Sequence, residues 1–208
     1  MAIFEVLNNQ QSYFNRYFRR NEGTTDYATI PEVTLAGDFV IEVTVYISSE
    51  ANDGFVFSGG TIGGGLELYK DAGSSQGTLA LFYNGTKSAN TPVLAEDSFH
   101  TLTLERIGAT ATLKDSLGVA LLSVTISGNC VINTLYARTD TTVFNLSGIL
   151  ANLKIWDNGT LVRNYPINDN SDILRNRATV LGAELVAADE FMDSRWSQQV
   201  GNRAVEVT

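Results

Sequence analysis

Two carboxylates four residues apart, Glu67 and Asp71, are the first candidates for chemistry in this 208-residue chain. On a strand that spacing places both on one face. Glycoside hydrolysis needs such a pair, about 5–5.5 Å apart in retaining enzymes. No E-x-D-x-x-E run is present, and Lys70 and Gly73 mark this stretch as a strand leaving for a turn. Glu67 and Asp71 are therefore read as solvated charges at a strand end. His100 is the single histidine, without a G-x-S-x-G elbow or an orienting motif, and shares strand parity with Leu102 and Leu104. A partly buried strand histidine is expected rather than a Ser-His-Asp base.

Gly59-Gly60-Thr61-Ile62-Gly63-Gly64-Gly65 invites a phosphate-loop reading. It lacks the Gly-Lys-Ser/Thr ending and the following helix that aim N–H groups at phosphate, so a loop between strands is expected. Zinc cannot be assembled from one histidine and one cysteine. Calcium takes oxygen ligands, which Asn52-Asp53 and Asp169–Asp172 can offer, but polar turns have the same composition. No cofactor is expected, with calcium left open. Sugar recognition needs an aromatic face with amide neighbours. Tyr69, Tyr83, Asn84 and Asn90 are the chosen carbohydrate-binding residues, with Tyr46 and Phe82 as further aromatics. The competing reading, that these rings are core, stays open.

The elements that must position these groups are strands. Eighteen glycines and three prolines separate short β-branched and aromatic runs. In Asp38–Ile47, residues Phe39, Ile41, Val43, Val45 and Ile47 share one face, against Glu42 and Thr44 on the other. Similar runs are Phe55–Ser58, Leu66–Lys70, Thr78–Tyr83, Phe99–Arg106, Thr110–Asp115, Val119–Ser127, Leu146–Trp156 and Thr160–Tyr165. The same-face pattern places Ile41, Val43, Val45, Leu102, Leu104, Ile149, Leu153 and Ile155 in one core. Asn52-Asp53-Gly54, Asn84-Gly85 and Asn158-Gly159 read as hairpin turns. A short helix near Phe4–Phe14 is the only helical expectation before residue 170. This pattern gives an all-β chain folded as a two-sheet antiparallel sandwich or barrel.

Charge and composition narrow the partners. Fourteen basic residues against 23 acidic ones give a net charge of −9, which disfavours nucleic acid. No apolar stretch approaches the roughly 18–20 residues of a membrane helix, and Met1–Glu5 has no basic or apolar leader pattern. Cys130 stands alone, so no intrachain disulfide forms and a buried small hydrophobe is expected. Three segments are distinguished: an arm over 1–24, a β domain over 25–167, and a polar, turn-rich tail over 168–208. Tyr13, Phe14, Tyr17 and Phe18 give the arm more apolar surface than a free tail holds, so they are expected to be assembly residues.

Several stretches resemble the laminin-G-like, or concanavalin A-like, lectin jelly-roll family. Asp26–Pro31 and Gly37–Tyr46 look like its entry strands, Phe55–Gly60 and Ser98–Arg106 like two later ones. Leu146–Trp156 looks like its closing strand and is the most specific of these. The chain departs from the pattern at Ala151-Asn152, where the family has an Asp-Glu pair, and at Phe99, where it has Trp. The Asp157-Asn158-Gly159 hairpin followed by Leu161–Pro166 is similar to modules of tailed-phage virion proteins. The resemblance implies a jelly-roll sandwich and a non-enzymatic virion surface protein: a tail-fibre, spike or decoration subunit, made in the host cytoplasm. Implied partners are its own copies, other virion proteins and cell-surface polysaccharide, without nucleic acid or membrane insertion. A ligand-free capsid or tail cement and a free bacterial lectin are the alternatives.

Overall fold

A computed structural model of the protein describes residues 16–19, 28–49, 53–59, 65–71, 73, 77–135, 146, 148–165, 186–187, 196–200 and 203–206. Among the described residues every regular element is a strand. In chain order these are β1 (Arg16–Arg19), β2 (Ala28–Leu35), β3 (Phe39–Ile47), β4 (Gly54–Ser58), β5 (Leu66–Lys70) and β6 (Leu79–Tyr83). Then come β7 (Thr86–Lys87), β8 (Ser98–Ile107), β9 (Thr110–Lys114), β10 (Ala120–Thr125) and β11 (Cys130–Leu135). The last are β12 (Gly148–Asp157), β13 (Thr160–Tyr165), β14 (Val186–Ala187), β15 (Trp196–Val200) and β16 (Arg203–Glu206). They form two antiparallel sheets. The larger runs β10-β9-β8-β3-β12-β1-β15-β16, with β13 also on β12; the smaller runs β14-β2-β11-β4-β5-β6-β7.

The period-2 reading of β3 holds residue by residue. Phe39, Ile41, Val43, Val45 and Ile47 are buried, and the residues between them are half-buried. β3 pairs with β8 on one side and β12 on the other over its whole length. Its core row packs with Leu104 and Leu153 from its own sheet and with Leu35, Phe57, Leu68, Leu81 and Ile132 from the other. Each such side chain contributes roughly 1.5–3 kcal/mol on leaving water. All of the expected core residues with described side chains are in this cluster.

Ile149 is a correction. A bulge at Ala151 shifts the β12 register, so Leu150 stands opposite Val45 while Ile149 stands opposite Tyr46, off the core parity. The side chain of Ile149 lies outside the described residues, whereas Leu150 is buried. The extra residue, Ala151, packs against Tyr46 and Phe99, whose rings meet edge-on at 5.3 Å. Ala151 is 1% exposed, so a carboxylate there would be buried against two rings, which accounts for the departure from Asp at this point.

Two expected turns form as read. Asn84-Gly85 (φ 48° and 73°) and Asn158-Gly159 (φ 47° and 78°) both carry the positive φ pair of a type I′ hairpin. Asn52-Asp53-Gly54 is not a hairpin, because β3 belongs to the larger sheet and β4 to the smaller. The chain is crossing between layers there. The glycine-rich stretch joins the antiparallel pair β4 and β5. Its bounding glycines are steric requirements, since a Cβ on Gly59 would lie 1.8 Å from the Val131 carbonyl oxygen, and one on Gly65 1.6 Å from that of Gly59.

β11 was not expected, yet it sits between β2 and β4 and buries Cys130, Ile132 and Thr134. The Cys130 thiol is an inert core group, as expected. Burial pushes its pKa up to about 11 despite the Arg106 guanidinium nearby. The flanking segments contribute strands as well. β1 pairs with β12 and β15, and β14 with β2. The expected helix near Phe4–Phe14, and Asp169–Asp172, lie outside the described residues.

Val43 tests the core assignment. It is 2% exposed and stands between Leu102 and Leu153. Val43→Asp buries a charge with no polar group opposite it and is expected to abolish the cooperative unfolding transition. A Val43→Asp chain that melts cooperatively with the wild-type circular-dichroism spectrum contradicts the register.

Candidate functional site: the outer face of the smaller sheet

Alternation in β5 and β6 separates two faces. Leu66 and Leu68 join the core with Leu79, Leu81 and Tyr83; Glu67, Tyr69 and Phe82 have the opposite parity. Register places Phe55 beside Tyr69 and Tyr69 beside Ala80. The rings of Phe55, Tyr69 and Phe82 form one cluster: Phe55 to Tyr69 4.8 Å, Tyr69 to Phe82 5.3 Å and nearly perpendicular, Phe55 to Phe82 6.2 Å. Phe55 and Tyr69 are buried and Phe82 is half-buried, so Phe82 is the ring of the three that keeps substantial exposure.

Beside the rings lies a polar cluster. Asp71 follows β5 with the parity of Tyr69. Its carboxylate accepts hydrogen bonds from Lys87 Nζ and from Asn90 Nδ2 (2.7 Å). Thr78 Oγ1 donates to the Asp71 carbonyl at 3.0 Å, and Asn90 Nδ2 also reaches Thr78 Oγ1 at 3.4 Å. Asn90 is brought here by the segment after β7, which bonds along β6 through Ser88 N to Leu81 O (2.7 Å) and Thr91 N to Leu79 O (2.8 Å). That segment covers the sheet edge: its N–H groups satisfy β6 carbonyls, and Thr91 Oγ1 and Ser88 Oγ accept from Leu79 N (3.0 Å) and Leu81 N (2.9 Å), groups that an open edge would leave bare. Burial raises the pKa of the Tyr69 hydroxyl; its hydrogen bond to Asp53 and the charges of Asp53 and Asp71 raise it further. The phenol is therefore a neutral donor at physiological pH.

The chosen residues divide between the faces. Tyr69 and Asn90 come together around Asp71. Tyr83 does not join them: it points into the core, 6% exposed, and its hydroxyl donates to the Ser127 carbonyl at 2.6 Å. Asn84 is exposed, and its backbone forms the β6–β7 turn. Phe55 and Lys87 are not among the residues the sequence singles out; Asp53 enters there only as a turn residue and possible calcium ligand, and Asp71 as one of a carboxylate pair. Glu67 and Asp71 are also corrected, being 2% and 6% exposed rather than solvated. The signal for them was the alternation Glu67-Tyr69-Asp71, one row on one face.

Hydrolytic chemistry does not fit this row. The Asp71 carboxylate is engaged by Lys87 Nζ and Asn90 Nδ2, which takes up the acceptor positions a general acid or base would need for a glycosidic bond. Ser98 Oγ lies 3.0 Å from His100 Nε2, but that nitrogen is also 2.7 Å from the Ala95 carbonyl oxygen. A carbonyl only accepts, so Nε2 carries the proton and is no base for the hydroxyl. Among the described residues no three of His, Cys, Asp and Glu converge as a metal site. Asn52 and Asp169–Asp172 lie outside the described residues.

Away from this face a concavity of about 410 Å³ opens at the start of β3 and the end of β8, lined by Asp38, Arg106, Ile107 and Asn158 among others. Its polar groups are committed to the fold. Asp38 Oδ1 accepts from Gly108 N (2.7 Å), and Arg106 donates to the carbonyls of Gly108 (2.8 Å) and Gly128 (2.7 Å).

No protein-family model matches the sequence, and no curated protein matches it. Solved structures do share the architecture. A Bacteroides ovatus protein whose assignment is carbohydrate binding superposes with a TM-score of 0.66 at 9% identity, covering 94% of this chain and 62% of that one. The heptameric SAP-like pentraxin of Limulus polyphemus gives 0.51 at 16% identity, covering 85% and 92%. Mouse laminin α1 domains LG4-5 give 0.52 at 14% identity, covering 88% and 48%. The chain thus spans 62% of the length of the Bacteroides structure and about half that of the laminin pair. With two antiparallel sheets packed on one core, the fold is a concanavalin A-like jelly-roll sandwich.

Proposed function

We propose that this is a non-enzymatic carbohydrate-binding domain whose site is the outer face of the smaller sheet. One observation carries the reading: the half-buried Phe82 ring lies against the Tyr69–Phe55 pair, next to a cluster in which the buried Asp71 holds Asn90 and Lys87, an amide and a cation, beside the rings. Sugars present C–H faces and hydroxyls together, and an aromatic ring beside amide and carboxylate groups matches both. The assignment of the Bacteroides ovatus structure to carbohydrate binding is in keeping with it. The engagement of the Asp71 carboxylate by Lys87 and Asn90 supports binding over hydrolysis.

The finer reading is a virion surface subunit of a tailed phage, directed at host polysaccharide, requiring no cofactor. It is supported by the closing strand ending in Trp156, the Asp157-Asn158-Gly159 hairpin and Leu161–Pro166. In this reading Tyr13, Phe14, Tyr17 and Phe18 anchor the chain to other virion proteins or to its own copies.

Host surface polysaccharides and a glycan array, each with and without a calcium chelator, test the reading. Wild type is expected to bind, with the chelator making no difference. Phe82→Ala removes about 0.5–1.5 kcal/mol of stacking, a loss of roughly 2- to 13-fold in affinity. Asn90→Ala is expected to weaken binding as well. Tyr83→Phe should bind like wild type while losing about 0.5–1.5 kcal/mol of stability with its hydrogen bond to Ser127. Wild type that binds no glycan contradicts the function and favours the ligand-free cement. Unchanged binding in folded Phe82→Ala and Asn90→Ala overturns the site alone.

A further inference from the structure

Charge is unevenly placed around the aromatic trio. Residues 51–97 build β4 to β7 and the segment that covers them. They hold five carboxyl side chains, Asp53, Glu67, Asp71, Glu96 and Asp97, against two lysines. Lys70 is turned away from the outer face: it has the core parity, is 0% exposed and donates to the Ser48 carbonyl at 2.9 Å. Lys87 stands opposite Phe82 in register, and its ammonium is paired with the Asp71 carboxylate. Every other described lysine or arginine lies on a strand of the larger sheet.

The carboxylates outnumber that one cation. Asp53, just before β4, is half-buried and accepts the hydrogen bond of the Tyr69 hydroxyl. Glu96 is exposed and passes beside Gly77, where a Cβ would lie 3.4 Å from its Cγ, next to Thr78 of the polar cluster. Glu67 stands opposite Phe82 on the other side and adds no positive charge in either protonation state. Among the described residues, Asp53, Asp71 and Glu96 against Lys87 leave two negative charges in excess beside the rings. Tyr69 responds to this field: burial is the first cause of its raised pKa, and Asp53 and Asp71 raise it further. The electron-rich face of Phe82 favours the same sign of ligand.

Resting on the carbohydrate-binding reading, we propose that the site selects by charge, taking neutral and amino sugars and turning acidic ones away. An ammonium over the Phe82 ring gains from the ring quadrupole and from the nearby carboxylates together. A neutral sugar keeps the stacking contact and meets Asn90 and the Lys87–Asp71 pair through its hydroxyls. A uronate or sulfated unit brings a further negative charge to a place whose one cation is already engaged. Drawing Lys87 away to meet it would leave Asp71, 6% exposed, as a buried charge without its counter-ion.

Calorimetric titration of the full chain with a β-1,4-linked glucosamine tetrasaccharide tests this, in three forms that differ only at nitrogen: amine, N-acetyl and N-succinyl. With amines protonated, carboxylates ionised and ionic strength low, affinity is expected to fall in that order over at least about tenfold. Added salt should narrow the spread, because exposed charges are screened. Asp53→Asn keeps an acceptor for Tyr69 and should narrow it at least about threefold. Glu96→Gln, at an exposed position, should act in the same direction and serves if Asp53→Asn misfolds. Glu105→Gln, on the larger sheet, removes the same unit of charge and should leave the spread at its wild-type width. A succinyl form bound as tightly as the acetyl form overturns the proposal, as does binding of none of the three. So does a spread that Glu105→Gln narrows as much as the site variants, since net charge would then be its cause. A glycan array on which acidic glycans alone are bound sinks the charge selection and leaves the carbohydrate-binding reading standing, whereas a blank array removes both.

Discussion

The pairing of β3 with β8 and β12 is the interaction on which the rest of the sandwich depends. Nine successive residues of β3 are held on both sides, and every second one is driven into the core. A strand fixed in this way has one permitted register, because a slip by one residue would expose Phe39, Ile41, Val43, Val45 and Ile47 together. The bulge at Ala151 is how β12 meets that constraint. It returns Leu150 to the core parity and turns a small residue towards Tyr46 and Phe99.

With the larger sheet fixed, the smaller sheet has to cover the same core, which decides what its outer face carries. The aromatic trio lies on that face as a consequence of Leu66, Leu68, Leu79 and Leu81 occupying the inner one. Burying Asp71 there carries a desolvation penalty that its partners must offset. Lys87 and Asn90 supply the charge and the hydrogen bond. The segment after β7 therefore has two roles: it closes the sheet edge and brings polar groups to the rings.

What was legible in the sequence follows from burial on one face or two. β3 alternates buried and half-buried residues over its whole length, β8 does so from Leu102 to Arg106 and β12 from Leu153 to Trp156, and strict alternation marks an inside. β4 and β5 are buried throughout and β6 nearly so, so their alternation has no polar side to reveal which face is inner. That is why Tyr83 could be taken for a surface ring while Tyr69 was placed with Asn90. Asp71 looked solvated because its cover comes from Lys87 and Asn90, outside any periodic run. Asn52-Asp53-Gly54 has hairpin chemistry, but which sheet each neighbouring strand joins is a tertiary property that local residues do not encode. The I′ turns at Asn84-Gly85 and Asn158-Gly159 were readable because their positive φ values are a local demand on residue type.

The central claim, that the outer face of the smaller sheet is where ligand is held, is tested most directly by amide chemical shifts. Isotope-labelled protein would be titrated with an oligosaccharide cut from a host surface polysaccharide. The account predicts that shifts concentrate at Phe82, Lys87 and Asn90, with the core amides of β3 unmoved. Shifts centred instead on Asp38, Ile107 and Asn158, at the concavity beside β3 and β8, would contradict it.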